Sequence, residues 1–103
     1  MSKIYSNNDY YEAIIQLRPK SKAVLDFIRK LVKDRDGVLI AKEVFIKTGV
    51  DIYITSQKYA RSIGKKLKDN FNGDLKITKT LHTKDRLTSR TIYRGTVLFR
   101  LKE

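Results

Sequence analysis

Cysteine and tryptophan are missing from this 103-residue chain, which also has one proline, one methionine, one histidine and five glycines. Without cysteine there can be no disulfide, no thiolate metal site and no cysteine nucleophile, and a reducing, cytoplasmic setting is expected. A metal site needs three or four converging ligands, so a lone histidine among scattered carboxylates predicts no metal and no cofactor. No apolar run approaches the roughly 18 residues of a membrane span. The start, Met1-Ser2-Lys3-Ile4-Tyr5-Ser6, has no signal-peptide core, and no membrane partner is expected. Glycine and proline are scarce and 41% of residues are hydrophobic, which argues against disorder. Acidic residues are the last scarcity. Eleven Asp/Glu face 23 Lys/Arg, giving a net charge of +12 and a pI near 10.0. A surplus that large points to a polyanion, with nucleic acid ahead of an acidic membrane.

The surplus is uneven. Residues 1–51 hold ten Lys/Arg and seven Asp/Glu, a net of +3, whereas residues 52–103 hold thirteen and four, a net of +9. Long-range attraction follows the local field, so the binding question moves to the second half.

Residues 1–9 are polar without a period and read as a loose tail or linker, leaving 10–103 as one domain. Alternation over residues 10–18 predicts a strand with Tyr11, Ala13, Ile15 and Leu17 on one side. Pro19 suits a first helical turn. Val24, Phe27, Ile28, Leu31 and Val32 form the apolar stripe of a helix over 20–35, ended by Asp36-Gly37. Residues 38–47 and 50–54 read as a hairpin turned at Thr48-Gly49. Thr55 or Ser56 can cap a second helix to about Asp69, with Tyr59, Ala60, Ile63 and Leu67 inward. Phe71 is expected to fold back onto the core. Strands at 75–82 and 91–101 flank a polar, basic loop over 83–90. The order is β-α-β-β-α-β-β, an α+β fold with a mostly antiparallel sheet and both helices on one face.

Catalysis has little to work with. His82 sits near a strand end, where a surface imidazole is the plain reading, and Asp34 and Asp36 serve local structure beside a helix end. No enzyme and no catalytic residue is expected. The second helix is the sharper signal. Lys58, Arg61, Lys65 and Lys68, spaced i, i+3, i+7, i+10, fall in one arc opposite the apolar stripe, with Asp69 the one acid nearby. A solvated face would explain such a ridge alone, but a matching surplus continues on the last hairpin. There Lys76 alternates with Thr78 and Thr80, Arg94 shares a strand face with Thr96 and Arg100, and Lys84, Arg86 and Arg90 mark the loop. Arginine forks and threonine hydroxyls on an open strand face suit phosphate oxygens. No exposed aromatic pair of the kind that stacks bases stands out; Tyr53 and Tyr93 are left between that role and inward packing. The chemistry favours recognition of folded RNA by shape and phosphate. The rival is a protein-interaction module whose basic face meets an acidic protein or a neighbouring domain, with residues 91–101 as an exposed edge for strand addition.

Two segments carry a family resemblance. Gly49-Val50-Asp51-Ile52-Tyr53-Ile54-Thr55-Ser56-Gln57-Lys58-Tyr59-Ala60 is similar to the Gly-(apolar)-Asp-(apolar)-Tyr-x-Ser-Ser-x-x-x-Ala segment of the nonsense-mediated-decay-protein-three family. Leu81-His82-Thr83-Lys84-Asp85 with Ser89, Tyr93, Arg94 and Thr96 resembles its downstream hairpin. The resemblance covers about residues 10–101 and falls on the family's middle domain. These proteins are adaptors of large ribosomal subunit biogenesis and nuclear export. The resemblance implies a fold like ribosomal protein L-twenty-two and a partner in ribosomal RNA of the large subunit. The family's Cys-x-x-Cys zinc domain, its translation-factor-five-A-like domain and its export-signal tail have no counterpart here. The chain is therefore expected to be one excised domain or a reduced, archaeal relative, acting as a monomer or beside other domains of a parent chain. The family hands over no contact residues; the ridge rests on charge geometry.

Overall fold

The structure, a computed structural model, describes residues 5–6, 10–84 and 91–102, with side chains for all of these except 80–84 and 91–93. Seven elements follow in order: β1 (Ala13–Arg18), α1 (Lys22–Lys33), β2 (Ile40–Ile46), β3 (Gly49–Ile54), α2 (Gln57–Asn70), β4 (Gly73–Lys84) and β5 (Thr91–Leu101). The five strands form one sheet in the order β2-β3-β1-β5-β4. Among these described strands β1 and β5 pair in parallel, and the other neighbours are antiparallel. The α+β class and the expected element order are as the sequence implied.

One face of the sheet carries the core. Ala13, Ile15 and Leu17 of β1, Val50, Ile52 and Ile54 of β3, and Val97 and Phe99 of β5 alternate inward. They join Val24, Leu25, Ile28 and Val32 of α1 and Ala60, Ile63 and Leu67 of α2 in a single cluster. Each helix lays its apolar stripe on that face, because a 3.6-residue period and a 2-residue period can share one dry layer. Phe71 folds back as expected and meets Phe27 edge-on at 5.3 Å between ring centres.

Both helices begin at serine. Ser21 Oγ accepts from the Val24 amide at 3.4 Å, and Ser56 Oγ accepts from the Tyr59 amide at 3.2 Å. Thr55 does a different job: its Oγ1 accepts from the Leu39 amide at 2.9 Å, tying the start of α2 to the approach of β2. Lys30 and Lys33 end α1 and Lys68 ends α2, where cations meet the negative pole of each helix. Substituting Ser56 by alanine is expected to cost about 1 kcal/mol in a denaturation experiment, the usual value of such a cap.

Four local expectations are corrected. Pro19 lies before the Ser21 cap instead of in the first turn, after a cis Arg18–Pro19 bond. Ile46 pairs with Gly49, so Lys47 and Thr48 turn the hairpin and Gly49 is the first residue of β3. A Cβ on Gly49 would sit 2.0 Å from the Leu17 carbonyl oxygen, so close strand approach selects glycine here. Tyr11 does not continue the inward side of β1. The chain bends at Glu12, whose carboxylate accepts from the Gln57 amide at 3.0 Å, and Tyr11 packs against Tyr53 on the opposite face. Finally, β5 is no edge: it lies between β1 and β4, because its second half pairs in parallel with β1. The edges are β2 and β4. Tyr5 and Ser6 run along β2 at Ile40, and the rest of the expected tail lies outside the described residues.

Candidate nucleic-acid interface

The ridge expected on α2 starts from how closely that helix sits on the sheet. Ile63, Gly64 and Leu67 face inward, and a Cβ on Gly64 would meet Val97 Cγ1 at 2.7 Å and Leu75 Cδ1 at 3.0 Å. Glycine lets the helix axis approach β4 and β5, which leaves the far side of α2 fully in water. Lys58, Lys65 and Lys68 are exposed there and Arg61 is half-buried on the flank. Tyr59 turns to the other flank, where its hydroxyl donates to the Leu31 carbonyl at 2.9 Å. Burial raises its pKa above the ordinary tyrosine value. Arg35 and Lys66 lie 5.4 and 5.7 Å from the Tyr59 ring centre, within the range of cation–π attraction. A shallow cavity of about 220 Å³ runs here past Arg35, Ser56, Lys58 and Lys66. The helix layer is thus more basic than the four-residue ridge alone, and Arg35 and Lys66 are the residues the sequence reading left out.

Where the acids go decides what this charge is free to do. Asp51 pairs with Arg18 at 2.7 Å, Glu43 with Arg29 at 2.6 Å, Asp26 with Lys22 and Arg29, and Asp74 with Lys102 at 3.3 Å. The Glu43 hydrogen bonds hold the Arg29 guanidinium pKa above its ordinary value. Among the described residues no ion pair reaches Lys58, Arg61, Lys65, Lys68 or Lys76. The lone acid near the ridge, Asp69, makes none either.

The hairpin cations occupy a different surface. Register places Lys76 opposite Leu98 and Thr78 opposite Thr96, and these four share with Arg94 the sheet face that carries no helix; the Thr80 backbone pairs with Arg94. Lys76 is exposed and Arg94 half-buried. Arg94 Nε donates to the Tyr11 carbonyl at 2.9 Å, and its guanidinium lies 4.4 Å from the Tyr11 ring centre. Tyr11 meets Tyr53 edge-on at 4.8 Å, and Lys42 stands 4.6 Å from the Tyr53 ring centre. The backbone of Lys84 ends β4, its side chain is not described, and Arg86 and Arg90 lie outside the described residues. The α2 ridge and the Lys76/Arg94 group therefore face away from each other across the sheet. The tyrosine pair was absent from the sequence reading. It was legible in part: with Ile52 and Ile54 inward, alternation forces Tyr53 outward.

The chain is a small, basic, five-stranded α+β domain on which, among the described residues, Lys58, Arg61, Lys65 and Lys68 of the helix layer and Lys76 of the helix-free sheet face make no ion pair. Its family is narrower. Residues 10–101 match the family model described as NMD3, second domain, and the chain belongs to the NMD3 family. No curated protein sequence matches the chain.

Proposed function

We propose that this domain docks on folded ribosomal RNA of the large subunit, with Lys58, Arg61, Lys65 and Lys68 placed on successive phosphates. The observation that carries the reading is the freedom of those cations: among the described residues no ion pair reaches them, while Asp51, Glu43 and Asp74 pair with arginines and a lysine elsewhere, so the α2 field is open to an outside polyanion. NMD3 membership suggests the setting, ribosome biogenesis and export. The domain works by binding, without catalysis or cofactor, as a monomer in the cytoplasm. No described helix is long and apolar enough to cross a membrane.

If about five phosphates are engaged, log affinity for a folded ribosomal RNA fragment falls against log salt with a slope of roughly −3.5 to −4.5. Binding that hardly changes between low and moderate salt would remove the phosphate reading.

A second reading has its own observation. Val44, Phe45 and Ile46, at the far end of edge strand β2, are 36%, 53% and 38% exposed. Three consecutive exposed apolar residues on an edge suit contact with an acidic protein's apolar surface or a neighbouring domain of a parent chain. A high 260/280 absorbance ratio in low-salt preparations favours RNA; nucleic-acid-free protein with no RNA affinity favours this one.

A further inference from the structure

At the end of the helix-free sheet face, next to the β2–β3 turn, Gln16, Arg18, Pro19, Thr48, Leu98 and Arg100 line an open cavity of about 670 Å³. Two arginines meet there. Arg18 and Arg100 are register partners on the parallel strands β1 and β5, so their side chains leave the same face side by side. Like charges placed directly opposite one another on a sheet repel, which makes the pair costly unless something negative is held between or beside them.

The two arginines are not equivalent. Arg18 is fixed in place, donating to the Leu17 carbonyl at 2.9 Å, the Val50 carbonyl at 3.3 Å and Asp51 at 2.7 Å. It lies across Gly49, where a Cβ would come within 2.9 Å of its Cδ. Asp51 offsets its charge. Arg100 is exposed, and its own neighbour across β4, Asp74, is paired with Lys102. Among the described residues no ion pair reaches Arg100. The cavity therefore holds one anchored guanidinium, one free guanidinium, a hydroxyl and an amide, beside the apolar surfaces of Pro19 and Leu98.

We infer that this cavity is a nucleotide subsite for single-stranded RNA, with a backbone phosphate on Arg100 beside Arg18 and a ribose or base against Pro19 and Leu98. Donors that fork toward phosphate oxygens next to an apolar wall match the two halves of a nucleotide. The volume is that of a small-ligand site, and a concave site of that size admits one nucleotide of a flexible strand. A rigid duplex presents its phosphates on a convex ridge and suits the α2 face instead. The inference rests on the RNA reading above, but it uses other residues on the opposite side of the sheet, giving the domain two faces for one folded RNA.

The test is a titration of the full chain with a uridine pentanucleotide, followed through backbone amide and arginine Nε–Hε resonances, with inorganic phosphate as a second arm. The pentanucleotide is expected to shift Arg18, Thr48, Leu98 and Arg100, and to bind more tightly than inorganic phosphate. Arg100→Gln, at an exposed position, is expected to weaken the pentanucleotide about tenfold, the usual loss of a hydrogen bond to a charged group. Arg61→Glu/Lys65→Glu is expected to leave pentanucleotide binding at the pocket in place while weakening folded RNA. Shifts confined to α2, an unchanged affinity in Arg100→Gln, or inorganic phosphate binding as tightly as the pentanucleotide would each overturn the subsite. Loss of folded-RNA binding by the wild-type chain with pentanucleotide shifts intact would overturn the α2 reading and leave the subsite standing.

Discussion

Replacing Gly49 by alanine is expected to destabilise the domain by about 3 kcal/mol or more, out of the roughly 5–15 kcal/mol typical of a domain this size. The added Cβ would lie 2.0 Å from the Leu17 carbonyl oxygen, a contact with backbone that no rotamer change relieves. Strand β3 must then move away from β1 exactly where Leu17 pairs with Val50. The same atom would collide with Arg18, so the Arg18–Asp51 ion pair would be disturbed together with the ladder. In thermal unfolding the loss corresponds to a fall in Tm of roughly 12–24 °C. Gly37→Ala is the control. Gly37 has φ of +84° with nothing within 4 Å of a Cβ, so alanine there carries backbone strain alone, about 1–2 kcal/mol. Equal stability of wild type and Gly49→Ala would mean that β1 and β3 are not in this register.

Reversing Arg61 and Lys65 to glutamate is expected to lower affinity for folded ribosomal RNA by about 30-fold or more at physiological salt. Each lost phosphate contact removes counterion release worth about 1 kcal/mol, and two new carboxylates add repulsion. Stability should change by only about 1 kcal/mol, since Lys65 is exposed and Arg61 contributes its stem to the flank of α2. Affinity measured by fluorescence anisotropy and stability measured by urea unfolding on the same preparations separate the two effects. A large stability loss with unchanged affinity would make the ridge a structural feature.

Much of this architecture was legible because it depends on period. The stripe Val24, Phe27, Ile28, Leu31, Val32 and the alternation Val50, Ile52, Ile54 each have one dry side, and both helices and the strands around them follow. The ridge was legible for the same reason, since residues opposite Ile63 and Leu67 have to face water. What period could not give was pairing. That β5 would leave its hairpin partner on one side and join β1 in parallel on the other depends on three-dimensional closure of the sheet. Two consequences follow from that pairing: Gly95–Arg100 are interior to the sheet, and Arg18 meets Arg100. Nor could one strand's pattern show that the helix ridge and Lys76 face apart, because the order β2-β3-β1-β5-β4 decides which sides coincide. Gly49 was misread for a local reason. A glycine after threonine between two apolar runs has turn chemistry, and only the distance to Leu17 reveals that it serves close packing.

If the α2 cations are spent on RNA phosphates, a variant that neutralises two of them has to flatten the salt dependence of binding. Arg61→Gln/Lys65→Gln removes two charges without adding repulsion. Its log affinity for folded ribosomal RNA, plotted against log salt, is expected to have a slope shallower than wild type by roughly 1.4–1.8, two phosphates' worth of released counterions. A slope identical to wild type would contradict the account and place the RNA contacts elsewhere on the domain.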